Sequence, residues 1–142
     1  MTSLQSLELT RFKCFAFQRI SLSAATVLTG LNGMGKSTVI QALLLLRQSA
    51  RAGLLHPPQP ASPWQRQGQS GLLLNGEFTR LGTAGDVLYE GAAEDSVGLA
   101  IRTSDDQGAA WRFSALPNAD LLPWLDGPEV PTGIALFGPH FY

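Results

Sequence analysis

The stretch that decides the fold is Thr26-Val27-Leu28-Thr29-Gly30-Leu31-Asn32-Gly33-Met34-Gly35-Lys36-Ser37-Thr38. Its first four residues are apolar or β-branched and run into a glycine, which predicts a buried strand that feeds a loop. The segment from Ser37 to about Ala50 is rich in Ala, Leu and Gln and lacks Gly and Pro, which predicts a helix. A glycine-rich loop therefore joins a strand to a helix.

The loop matches the pattern G-x-x-x-x-G-K-[ST] at every defined position, with Gly30, Gly35, Lys36 and Ser37. Glycines allow the backbone to aim consecutive N–H groups at phosphate oxygens, and the helix that follows adds the positive end of its dipole. The alternative is a glycine turn that matches by chance, but the strand and helix on either side favour a phosphate-binding loop.

Each residue of the loop has an expected role toward ATP and Mg²⁺. Lys36 reaches the β- and γ-phosphates as a point charge, and the Ser37 hydroxyl joins the oxygen shell of Mg²⁺. Thr38 lies on the side of the α-phosphate. The remaining contacts come from the loop around the phosphates, at Gly30, Asn32, Gly33, Met34 and Gly35.

Composition favours one soluble domain. The 142 residues are 44% hydrophobic and 15% charged, with a net charge of −1, so no basic excess indicates nucleic acid. Cys14 is the single cysteine and is expected in the core, and the two histidines lack companion metal ligands. The start of the chain does not resemble a signal peptide, and the longest apolar run, Ala42–Leu46, is far too short to cross a membrane. We therefore expect a cytoplasmic protein without a membrane contact.

Further strands are expected on both sides of the loop. Ser3–Arg11 and Ile20–Ser23 precede it, and a strand pattern resumes at Leu72–Leu81. Val97–Thr103 and Ala110–Ser114 predict a β-hairpin around the turn residues Asp105–Gly108. Asp86–Tyr89 predicts a short helical turn, and the prolines after Leu116 predict irregular chain. The tryptophans are expected to be packing anchors at positions 64, 111 and 124.

Residues 53–71 contain four prolines and three glycines and predict a flexible loop. A functional lid is the alternative, because long loops in compact domains are often functional. Gly53 at the start of this segment is a plausible stop signal for the preceding helix.

Three segments resemble the start of an SMC/RecF-type ATPase of the ABC class. They are Leu7-Glu-Leu-Thr-Arg-Phe-Lys-Cys-Phe15, Ile20-Ser-Leu22 and Thr26–Leu44. When Gly71–Glu77 and Leu81–Glu90 are included, the chain resembles most closely the stand-alone bacterial AAA-type ATPases that are similar to OLD-family proteins. The resemblance is strong over residues 4–50, fair over 71–91 and weak beyond.

The resemblance implies an α/β (α+β) fold, an ABC-ATPase-like N-terminal lobe with strands around the P-loop helix. It implies a homodimer that sandwiches ATP, and DNA or a nuclease as partners of the wider protein. Arg11 and Lys13 match a position where the family approaches the nucleotide, although both residues could equally be ordinary strand charges.

The sequence departs from this family in two motifs. It contains no apolar strand followed by Asp-Glu, the Walker B element, and no Ser-Gly-Gly-type signature; Glu94 and Asp95 are poor substitutes. Residues 1–142 therefore read as the N-terminal part of one P-loop ATPase domain, in which hydrolysis is uncertain. The leading hypothesis is the ATP-binding lobe of an ATPase in DNA maintenance or phage defence. The alternatives are a non-catalytic module that docks on a full-length ATPase and, less favoured, a small P-loop kinase or GTPase.

Overall fold

The computed structural model describes residues 4–21, 34–55, 70–104 and 107–127. This part of the chain forms a mixed α/β structure in which an antiparallel sheet packs with a long helix. The described elements are, in chain order, β1 (Leu4–Phe12), β2 (Phe15–Ser21), α1 (Met34–Arg51), β3 (Gly71–Leu73), α2 (Ala84–Val87), β4 (Ser96–Thr103), β5 (Gly108–Ser114) and β6 (Leu121–Asp126).

The six described strands form one sheet in the order β2-β1-β4-β5-β6-β3, and every neighbouring pair is antiparallel. Buried residues alternate with exposed ones along β5, so only one of the two faces of this strand belongs to the core. Leu9, Leu99 and Trp111 lie side by side across β1, β4 and β5 and are almost fully buried. The predicted β4–β5 hairpin is confirmed, although residues 105–106 of its turn lie outside the described part.

Helix α1 supplies the other side of the core. Val39, Ala42, Leu45 and Leu46 are at most 1% exposed and belong to the same buried cluster as the sheet residues. The helix ends at Arg51, and Gly53, with a positive φ of 72°, is the stop signal that the sequence predicts. The N–H of Gly53 donates to the carbonyl of Ala50 at 3.0 Å and that of Leu54 to the carbonyl of Ser49 at 2.9 Å, the two bonds of a Schellman motif.

Two predicted segments differ from the structure. The strand expected over Leu72–Leu81 is only Gly71–Leu73, because the Asn75 side chain bonds both the N–H and the carbonyl of Gly82 and closes a tight loop. The irregular chain expected after Leu116 contains β6. Pro123 is accepted there because it lies beyond the last β5–β6 pair, Phe113 with Trp124, so its missing N–H removes no bond to β5.

Smaller differences concern element boundaries. Strand β2 begins at Phe15 rather than Ile20, α1 begins at Met34 rather than Ser37, and α2 covers Ala84–Val87 rather than Asp86–Tyr89. Trp111 is buried, and Trp124 meets Phe113 edge to face with ring centroids 6.4 Å apart, so these two tryptophans are packing anchors as expected. The predicted strand Thr26–Thr29, most of the loop 53–71, and Trp64 lie outside the described residues.

Candidate functional site

The first turn of α1 carries the second half of the phosphate-loop motif. The helix begins at Met34, so Gly35, Lys36 and Ser37 all lie in its first turn. Backbone N–H groups in a first turn have no partner within the helix, and no acidic residue in this turn offsets the positive end of the dipole. The chain therefore presents an electropositive helix start where the motif requires one. Gly30, Asn32 and Gly33 lie outside the described residues, and for Met34 and Lys36 the structure describes the backbone.

Ser37 and Thr38 have different surroundings. Ser37 is exposed, so its hydroxyl is accessible to a ligand, and a hydroxyl oxygen suits Mg²⁺. Thr38 is 1% exposed, and its Oγ1 lies 3.8 Å from Sγ of Cys14. Cys14 is exposed rather than in the core, which corrects the sequence-based expectation. It occupies the turn between β1 and β2, and this turn therefore abuts the start of α1.

The turn between β1 and β2 has an unusual backbone. Arg11 and Lys13 have φ values of 53° and 52°, a region that residues other than glycine rarely adopt. The segment Val87–Tyr89 holds them there: the Lys13 N–H donates to the Val87 carbonyl, and the Tyr89 N–H donates to the Arg11 carbonyl at 3.0 Å. Phe12 between them is fully buried and bridges to Leu88. Unfavourable backbone conformations that are held in place by surrounding hydrogen bonds are common at functional sites.

The side chains of Arg11 and Lys13 have different surroundings: Arg11 bonds to β4, whereas Lys13 lines a groove. Arg11 donates from Nε to the Ser96 carbonyl and from Nη2 to Ser96 Oγ, both at 2.9 Å, and its Nη2 lies 3.7 Å from Oε2 of Glu94. Its guanidinium therefore ties the end of β1 to the start of β4. Lys13 instead lines a groove beside the start of α1.

This groove, the α2 groove, has a volume of about 810 Å³. Its walls come from the β1–β2 turn and from α2 with the residues that follow it. The side chains that give it chemical character are Lys13, Cys14, Asp86, Leu88, Tyr89 and Glu90. One of its lining residues, Cys14, also contacts the buried Thr38 of α1, so the groove lies next to the start of that helix.

The charge of Asp86 is supported by its local contacts. The Thr83 backbone N–H donates to Oδ2 of Asp86 at 2.9 Å and the Thr83 hydroxyl donates to the same atom at 3.1 Å. These two bonds, helped by the positive charge of Lys13, hold the pKa of the Asp86 carboxyl below its usual value. Asp86 is therefore ionised at neutral pH.

Sequence reasoning predicted the loop and Lys13 but not the rest of the groove. The sequence predicts Cys14 in the core, and it predicts Asp86, Leu88 and Tyr89 in a helical turn without a functional role. No local pattern marks these residues, since the bonds between Arg11–Lys13 and Val87–Tyr89 join segments more than 70 residues apart in sequence. The "Phe-Lys-Cys-Phe" element was the one signal that pointed to the β1–β2 turn.

Two features are absent from the part of the chain that the structure describes. None of its helices has the length and hydrophobicity of a membrane-spanning segment. No group of three or more His, Cys, Asp or Glu side chains in these ranges is arranged to hold a metal ion.

A glycine-rich phosphate loop that leads into a buried helix beside a sheet defines the class of P-loop nucleotide-binding proteins. Comparison with protein families agrees: residues 25–125 match the family model described as "AAA domain, putative AbiEii toxin, Type IV TA system". The chain belongs to this family of AAA domains, and thus to the P-loop ATPase superfamily. No curated protein and no solved structure matches the chain.

Proposed function

We propose that this domain binds ATP together with Mg²⁺ at the loop Gly30–Ser37. The observation that carries the proposal is the complete G-x-x-x-x-G-K-S motif at the start of α1, a helix without an acidic residue in its first turn. The family match over residues 25–125 supports it, because P-loop ATPases use this motif for the nucleotide.

The proposed division of roles follows the chemistry of each group. The loop backbone from Gly30 through Asn32, Gly33, Met34 and Gly35 donates to phosphate oxygens, and Lys36 neutralises the β- and γ-phosphates. Ser37 supplies an oxygen ligand to Mg²⁺, which bridges phosphate oxygens and draws off their charge when bound. Thr38 faces the α-phosphate side.

Beyond this loop, the β1–β2 turn completes the site. Lys13 lies at the groove next to Cys14, which contacts Thr38, so its ammonium is available to a nucleotide that extends from the loop. Arg11 supports the site indirectly, because its guanidinium is bonded to Ser96 and holds the end of β1 against the start of β4.

The wider role that we propose is the nucleotide-binding lobe of an SMC/RecF-like cytoplasmic ATPase that dimerises through ATP and acts in DNA maintenance or phage defence. The resemblance of residues 4–50 supports this role. The second candidate is a non-catalytic module that docks on an ATPase partner. Phe17, Ile40 and Leu116, each more than half exposed, are the apolar side chains that such a partner would cover.

The test of nucleotide binding is calorimetric titration of wild type and Lys36→Ala with ATP and Mg²⁺. The variant should bind at least ~10-fold more weakly, because a charge-assisted contact contributes roughly 1.5–3 kcal/mol. Arg80→Ala, which removes an exposed cation outside the loop and the α2 groove, is the matched control and should bind like wild type. Equal affinities of wild type and Lys36→Ala, with both folded by circular dichroism, would refute the assignment and favour the docking module.

A further inference from the structure

The α2 groove has a charge that is wrong for phosphates. Two carboxylates, Asp86 and Glu90, line it together with one cation, Lys13. The negative charge of a carboxylate repels a triphosphate. An ionised carboxylate has no proton to donate, so it accepts hydrogen bonds from neutral donors such as hydroxyl groups. The start of α1 is electropositive and suits the phosphates. A nucleotide that spans both places would therefore point its nucleoside end into the groove.

The groove and the start of α1 are neighbours, because Cys14 contacts both. Cys14 lines the groove and lies 3.8 Å from Oγ1 of Thr38, the residue that follows Ser37 in the motif. Leu88 and Tyr89 also line the groove and provide an apolar and aromatic surface for a base. The volume of about 810 Å³ is within the range of small-molecule pockets.

Asp86 and Glu90 differ in the number of hydrogen bonds that their carboxylate oxygens already accept. Oδ2 of Asp86 already accepts two hydrogen bonds from Thr83. Glu90 is exposed and makes no hydrogen bond or ion pair with any other part of the chain that the structure describes. Its two oxygens are open to donors from a ligand, and adjacent ribose hydroxyls are the pair of donors that every ribonucleotide carries.

On the basis of the proposed function, we infer that the α2 groove holds the nucleoside end of the nucleotide and that Glu90 accepts hydrogen bonds from the ribose hydroxyls. Glu90 is then a specificity-determining residue that distinguishes ribonucleotides from deoxyribonucleotides. Lys36 and the loop supply most of the affinity, and Glu90 supplies the discrimination between sugars.

The experiment is calorimetric titration of the 142-residue chain with ATP, 2′-deoxyATP, 3′-deoxyATP and ITP, each with Mg²⁺. Wild type should bind at least one of the deoxynucleotides about 10-fold more weakly than ATP, since a hydrogen bond to a charged group is lost. Glu90→Ala should reduce this ratio to about twofold or less, and Glu90→Gln should give an intermediate ratio, because the amide retains one weaker acceptor. Glu77→Ala removes an exposed carboxylate outside the groove and should keep the wild-type ratio.

The outcomes separate this inference from the proposed function. Lys36-dependent ATP binding with the same ATP-to-deoxyATP ratio in wild type and Glu90→Ala would overturn the inference alone. A change in the ATP-to-ITP ratio in place of the sugar ratio would also overturn it, because Glu90 would then contact the amino group of the base. Absence of any Lys36-dependent nucleotide binding would overturn the proposed function together with the inference.

Discussion

At the scale of single residues, Gln48 connects α1 to the chain after β3. Its side chain is almost completely buried, with 3% of the residue exposed. Nε2 donates to the Leu73 carbonyl at 2.7 Å, and Oε1 accepts from the backbone N–H groups of Phe78 and Thr79 at 3.1 and 3.0 Å. One amide thus satisfies three backbone groups of a segment with little regular structure.

We expect Gln48→Ala to lower the free energy of unfolding by about 1–3 kcal/mol, because partly buried backbone groups lose their partners. Urea denaturation followed by circular dichroism measures this change. Gln107→Ala should leave the stability unchanged, because this position is exposed and its bonds to Thr103 come from the backbone carbonyl rather than the side chain. A Gln48→Ala variant as stable as Gln107→Ala would show that water replaces the amide without cost.

The burial of Gln48 does not follow from the helical pattern of α1. Helical periodicity places Ser37, Gln41 and Gln48 on one polar side of this helix, and in the structure Gln48 faces the chain after β3. Periodicity assigns a polar residue to solvent unless a partner is known, and the partners here are backbone groups 25 to 31 residues away. Cys14, which is expected in the core as the single cysteine, is exposed in the turn between β1 and β2.

At the scale of elements, the pairing of β3 with β6 depends on close backbone approach at Gly71. A Cβ atom added to Gly71 would lie 2.1 Å from the backbone oxygen of Leu122 and 2.9 Å from its carbonyl carbon. No side chain rotation relieves a contact with backbone, so any larger residue must push β6 away from β3.

Gly71→Ala should therefore destabilise the protein by about 1–3 kcal/mol through steric strain. Thermal unfolding by calorimetry or circular dichroism measures the effect. Gly85→Ala is the matched glycine control, because an added Cβ there has Thr83 Oγ1 at 3.8 Å as its nearest neighbour, an ordinary contact. If both variants unfold at the wild-type temperature, the close β3–β6 contact does not contribute to stability.

Elements with a strong local pattern were predicted well, and short or proline-containing ones were not. The strands β1, β4 and β5 and the helix α1 follow from alternation, helical composition and the stop at Gly53. Strand β6 was missed because its proline argued against a strand. Only the pairing of β6 with β5 and β3 shows that the missing N–H faces no partner.

At the scale of the whole molecule, phosphoryl transfer to water needs more than a phosphate cradle. It requires a further carboxylate support for Mg²⁺, a group that orients the attacking water, and charge stabilisation at the γ-phosphate. The sequence of residues 1–142 contains no apolar strand followed by Asp-Glu. Glu94 and Asp95 follow a turn, and Glu94 is paired with Arg11.

We expect this 142-residue chain to bind ATP without turning it over at an appreciable rate. Loss of water positioning and of charge stabilisation lowers the rate by several powers of ten, since each ~1.4 kcal/mol is tenfold. The measurement is phosphate release with Mg²⁺ and saturating ATP, with Lys36→Ala as the background control. Lys36-dependent turnover near about one per second would contradict the prediction and would indicate a catalytic carboxylate within this chain, such as Glu94.

The sequence by itself determined the glycine-rich motif at Gly30–Ser37, the helix that follows it and the P-loop class of the domain, because these depend on residue types at short, regular spacing. Only the tertiary structure decided which distant residues meet. It brought Cys14 to Thr38, enclosed a groove between the β1–β2 turn and the residues after α2, and buried Gln48 against the chain after β3. These contacts arise from strand order and from hydrogen bonds across long sequence separations, which local periodicity does not encode.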